Sequence, residues 1–140
     1  MFSNPIASYR QIDVESDIRG ADPHRLIVLL FDGAESALNQ SLVRLEANDN
    51  TGKSESLLKA IDIILSGLSA SLDIEQGGEL AINLKALYDY MVSRLIHANL
   101  RKDPAAIREV QGLLGEISGA WREMGQKLRE GGAQNFDPET

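Results

Sequence analysis

The chain has 140 residues, enough for one domain with a real core. It is 43% hydrophobic and 25% charged, but only 5% aromatic, a balance that favours helix over sheet. Its net charge of −7 argues against nucleic acid as a partner, and the lack of cysteine excludes disulfides and thiolate metal sites.

The first stretch, "MFSNPIASYRQIDVES", has neither a basic leader nor an apolar core, so it does not read as a secretion signal. No apolar run reads as a bilayer span, which predicts a cytoplasmic protein without direct membrane insertion. Residues 1–21 are expected to make a partly mobile N-terminal segment with a short extra helix or cap at Asn4-Pro5, which would set Ile6 and Tyr9 about one turn apart.

The first long helix opens at "ADPHRLIVLL", with Asp22 placed to cap free amides and Pro23 at the first helical position. Its stripe is Leu26, Leu30, Ala34, Ala37, Ser41 and Leu45. The turn residues of "NDNTGK", Asn48 to Lys53, are predicted to break it. A second helix covers about Ser54 to Leu72, with a heptad core at Leu58, Ile61, Leu65, Leu68 and Leu72.

Gly77-Gly78 is predicted to join helices two and three, Gly77 taking the left-handed conformation that ends a helix. The third helix runs from about Glu79 to Leu100 on Leu80, Leu84, Leu87, Met91, Leu95 and Ala98. The fourth begins at Asp103-Pro104 and continues through Ile107, Val110, Leu114, Ile117, Trp121, Met124 and Leu128. An all-α antiparallel four-helix bundle over residues 22–130 follows, with a polar tail at 131–140 expected to be disordered.

Chemistry finds little support. A calcium loop from Asp73 would place Gly78 correctly but needs Glu where Leu84 stands. A di-iron site needs Glu-x-x-His pairs, whereas Ala21 precedes His24 and Arg94 precedes His97. No metal, cofactor or catalytic residue is expected. The alternative of a histidine phosphotransfer domain acting through His97 lacks the usual cation one turn later, where Leu100 stands.

Two stretches carry more apolar or aromatic side chains than one core face can take. In "LIVLLF" the surplus falls on Ile27, Val28 and Phe31. In "LYDYM", Tyr88 and Tyr90 point about 200° apart, so one packs inside and the other faces a groove or solvent. Such excess marks a binding surface.

Taken with "SLDIEQGGELAINLKALYDYM", whose glycines, Asn83 and Tyr-Asp-Tyr triplet share one register, these stretches resemble the flagellar secretion chaperone FliS family. The similarity runs from "IASYRQIDVES" to "EVQGLLGEISGAWREM". It departs at "GADP", where Ser or Thr is usual, and at Leu30, where Met is common.

The resemblance implies a cytosolic type III secretion chaperone, not an enzyme. It would bind the C-terminal segment of flagellin, prevent premature polymerisation and help deliver it to the flagellar export gate. The binding set it implies is Ile6, Tyr9, Ile27, Val28, Phe31, Leu84, Leu87, Tyr88, Tyr90 and Met91. In some members the N-terminal segment covers part of the groove, and some are linked to an anti-sigma factor.

Overall fold

A computed structural model describes residues 22–135, with the side chains of 132–135 left aside. Helix α1 is Pro23–Glu46. Asp22 Oδ1 accepts from the Arg25 amide at 2.8 Å, as a cap should. Leu30, Phe31, Ala34, Ala37, Leu38 and Ser41 form its buried face. By length and composition α1 could cross a bilayer, contrary to the expectation from sequence. Its most apolar face is instead packed in the bundle core.

Helix α2 is Asn50–Asp62. The break before it is shorter than "NDNTGK" suggests. Asn48 supplies a left-handed residue, and Asp49 caps the new helix by accepting from the Gly52 amide at 2.9 Å. Gly52 lies inside the helix, where a Cβ would overlap the Asp49 carboxylate and the Arg44 side chain. Arg44 donates to Gly52 O at 3.1 Å and to Ser56 Oγ at 2.7 Å. The buried Lys53 donates to Asn99 O at 3.0 Å, tying this turn to the end of the third helix.

A π-helical segment, Ile63–Ser69, continues α2. Its wider turn shows in the bond from the Ala70 amide to Leu65 O, at 3.1 Å. The helix carries two overlapping apolar stripes offset by one residue, and the core uses mainly the other one, with Leu68 buried as read. Leu57, Ala60, Ile63, Ile64 and Leu68 are buried, whereas Leu58 is 49% and Leu65 41% exposed. Small residues at Ala60 and Gly67 suit close helix approach, and Ile61 and Leu72 remain half-buried at the margin.

Helix α3 is Ile74–Arg101, capped by Asp73, which accepts from the Gln76 amide at 3.0 Å. The glycines therefore lie inside the first turns of α3, not at the junction, which is Ala70 to Asp73. Gly78 rather than Gly77 has positive φ (56°, with ψ −132°), a conformation that essentially only glycine adopts. It kinks the chain one turn into the helix.

Helix α4, Pro104–Asn135, is the longest at 32 residues and extends into the segment assigned to the tail from sequence. Ion pairs and hydrogen bonds fix the directions. Asn39 meets Gln111 and Glu35 meets Ser118, so α1 and α4 are antiparallel. α3 ends at Arg101 and α4 begins at Pro104, and Glu109 folds back to meet Arg94 and Tyr90, so α3 and α4 are antiparallel too. The bundle circles α1, α2, α3, α4 around one core that includes Phe31, Leu38, Ile64, Met91, Leu95 and Leu114.

Candidate functional site

The two ends of the bundle are built differently. At one end Lys53 and Ser54 bond to Asn99, tying α2 to the end of α3. At the other, where α1 and α3 begin and α4 runs on, the apolar stripes continue past the core. On α3, Leu84 and Leu87 are half-buried against the core and Leu80 is 68% exposed. On α4, Ile117 and Trp121 are half-buried, Met124 is exposed and Leu128 is 65% exposed. These were read from sequence as core positions. On α4 the reason is length, since the helix runs past Trp121, which is level with the first turn of α1; on α3, Leu80 stands beside the buried Ala81 but on the other side of the helix.

Trp121 is the fixed point of this surface. Its indole stacks on the His24 ring with centroids 4.9 Å apart and planes 6° from parallel. Trp121 Nε1 donates to His24 O at 3.2 Å, and His24 Nε2 donates to Trp121 O at 2.7 Å. Gly125 makes room, since a Cβ there would run into the imidazole. The clasp pins the first turn of α1 to α4.

The residues singled out from sequence fall into three layers. Phe31, Tyr88 and Met91 are core residues, so none of the three presents a surface. For Phe31 the reason is the α1 stripe, which centres on Leu30–Phe31–Ala34–Leu38 and leaves less surplus than "LIVLLF" suggests. Ile27, Val28, Leu84 and Leu87 are half-buried. Tyr90 is exposed, on the opposite side of α3 from Tyr88, as the helical spacing requires. Ile6 and Tyr9 lie outside the described residues. Leu80, Ile82, Met124 and Leu128 join the exposed set without having been singled out. For Leu80, Met124 and Leu128 the signal was present in the stripes of α3 and α4; Ile82 lies on neither stripe.

The two tyrosines also differ electrostatically. Burial pushes Tyr88 up to about 12, so it stays neutral in the core. The Tyr90 hydroxyl donates to Glu109 Oε2, while Arg94 Nε donates to Glu109 Oε1 at 2.7 Å. The bond from Tyr90, then that from Arg94, holds the Glu109 carboxyl below its usual range. Among the described residues, no group of three or more acidic or histidine side chains is arranged for a metal.

The family described as Flagellar protein FliS matches residues 5–128. The chain belongs to the FliS family. It is 53% identical over 122 residues to the flagellar secretion chaperone FliS of Salmonella typhimurium, covering 87% of this chain and 90% of that one. It is 48% identical over 116 residues to its counterpart in Escherichia coli, covering 83% and 85%. A more distant relative in Bacillus subtilis, also named flagellar secretion chaperone FliS, is 30% identical over 127 residues, covering 91% and 90%.

FliS proteins are chaperones and not enzymes. The family therefore gives no support to phosphotransfer through His97. That ring instead lies 3.2 Å from Asp103 Oδ2, in the turn where Asp103 Oδ1 also accepts from the Ala105 amide.

Proposed function

We propose that this chain is a cytosolic type III secretion chaperone for flagellin, and that the open end of the bundle carries the flagellin C-terminal segment. Two observations support this: membership of the FliS family over residues 5–128, and apolar side chains left uncovered beside Trp121. The contact set is Ile27, Val28, Leu84, Leu87 and Tyr90 from the sequence reading, joined by Leu80, Met124 and Leu128. Phe31, Tyr88 and Met91 act from beneath by fixing the helices that carry these residues.

A disordered segment folding onto a bundle buries on the order of 1,000–3,000 Å² and loses several kcal/mol to its own ordering. That cost requires a broad apolar surface on the chaperone. Masking the segment keeps flagellin from polymerising early, and the complex is then handed to the cytoplasmic domain of the export gate. The resemblance alone carries a further expectation of a link to an anti-sigma factor. Ile6 and Tyr9 act in this reading as an intramolecular competitor for the groove, lowering apparent affinity by the closed fraction.

The test is isothermal titration against full-length flagellin and flagellin lacking its last ~40 residues, a length suited to wrapping a bundle as a partly helical segment. Binding lost on truncation fits the proposal; binding retained places the contact elsewhere on flagellin. Tyr9→Ala should change the affinity while leaving the bundle folded. An unchanged affinity would remove the competitor.

A further inference from the structure

The corner between α3 and α4 has a character unlike the rest of the surface. Between Arg94 and Arg108 stand four Lys or Arg residues against one acidic residue, in a chain whose net charge is −7. Arg94 is held by Glu109, and Asp103 is engaged with His97. Among the described residues, Arg101, Lys102 and Arg108 are exposed and make no ion pair.

Beside Arg101 and Lys102 lies an apolar row, while Arg108 leans to the α1 side of α4, away from the face where Glu109 meets α3. Ile96 is 49% exposed and Leu100, one turn later on the same face, is 78% exposed. His97 and Arg101 form the adjacent row one residue on. Leu100 belongs to no core stripe and stands at the far end of α3 from Leu80 and Leu84.

Helix architecture accounts for only part of this. Cations in the last turn of α3 suit the negative end of its dipole. Arg108 sits just after the first turn of α4, at the end where the dipole favours acidic residues, and that first turn contains none. Lys102 is the left-handed cap of α3, at φ 51° and ψ 51°. Gly or Asn adopts that conformation at less cost. A charged residue is thus held where capping alone would favour a smaller one. The positive field reaches inward too: burial depresses the pKa of Lys53, and the charge of Lys102 adds to the effect.

We propose that this corner is a second docking surface, for an acidic segment of a partner protein that places a leucine-like side chain on Ile96 and Leu100 and its carboxylates on Arg101 and Lys102. Charge complementarity selects the acid, and the exposed row selects the aliphatic anchor. Nucleic acid would need a broader cationic track than this acidic chain offers.

The test uses a short synthetic peptide of Asp and Glu flanking two leucines, titrated into the full chain and followed by backbone amide NMR. Shifts should cluster from Ile96 to Lys102, and affinity should fall with added salt. Leu100→Ser and Lys102→Gly should each weaken the peptide roughly tenfold, the loss expected for a charge-assisted contact or a buried anchor. Lys102→Gly should melt no lower than the parent, because glycine suits the cap, so its lost binding would not reflect unfolding.

Undiminished binding in both variants would overturn the proposal. So would equal binding of a peptide with its leucines changed to serine, or stronger shifts of the same amides by duplex DNA or phosphatidylserine vesicles. Self-association abolished by Leu100→Ser would assign the corner to a second copy instead. Flagellin titration should be unchanged in Leu100→Ser, which separates this surface from the one at the open end; weakened flagellin binding would merge the two and refute a second site.

Discussion

The closed end and the open end of this bundle use the same residue types to opposite effect. At the closed end, Arg44, Lys53 and Ser54 bond across the turns to Gly52, Ser56 and Asn99, and Leu57 and Leu95 are buried beneath them. At the open end the apolar stripes of α3 and α4 continue past the core, and Leu80 and Leu128 are left at 68% and 65% exposure. Short polar loops therefore do not make equivalent ends. Both ends have capped helix starts, Asp22 and Asp73 at one and Asp49 at the other; what closes an end is whether side chains bond from helix to helix across it and whether the helices stop together.

The contrast is sharpest in α2. Leu57→Asp, a charge in the closed core, should unfold the bundle, because an unpaired buried carboxylate costs several kcal/mol. Leu65→Asp, on the outward stripe of the π-helical segment, should be nearly neutral, within about 0.5 kcal/mol. Circular-dichroism melts check both. Equal destabilisation would mean that the heptad through Leu58 and Leu65 is the core after all.

Gly125→Ala comes next. Its methyl meets the His24 ring, so the clasp must open or shift at a cost of about 1–3 kcal/mol. The fluorescence of Trp121, the one tryptophan of the chain, should change with it. A parental melt and emission spectrum would show that the clasp holds nothing.

The smallest effect concerns pH. Glu109 binds its proton less tightly folded than unfolded, so the bonds from Tyr90 and Arg94 stabilise the fold above the usual Glu value of 4.5. That stability is lost as pH falls through the depressed value. Glu109→Gln should therefore melt slightly lower than the parent at neutral pH, with the gap closing in acid. A gap independent of pH would contradict the assignment.

Much of the fold was legible in the residues themselves. Asp22-Pro23 and Asp103-Pro104 mark helix starts because capping is local chemistry, and Leu30, Ala34, Ala37 and Ser41 of the α1 stripe are buried as read, joined by Phe31 and Leu38. The phase of α2 was not legible, because "SLLKAIDIILSGL" offers adjacent apolar residues to two faces and the π-helical turn is set by packing. Gly77-Gly78 carried a conformational signal without its exact place, since either glycine can take positive φ. The opposed placement of Tyr88 and Tyr90 followed from spacing alone. The exposure of Leu80, Met124 and Leu128 did not, because it depends on which side of α3 the core takes and on where α1 begins beside α4.

The most direct measurement is calorimetric titration of flagellin into Leu80→Ser and Leu128→Ser beside Leu65→Asp, with melts of all three. Weaker binding in the first two at an unchanged melting temperature, with Leu65→Asp binding as the parent does, is the predicted result. Full affinity in both open-end variants would show that flagellin does not dock there.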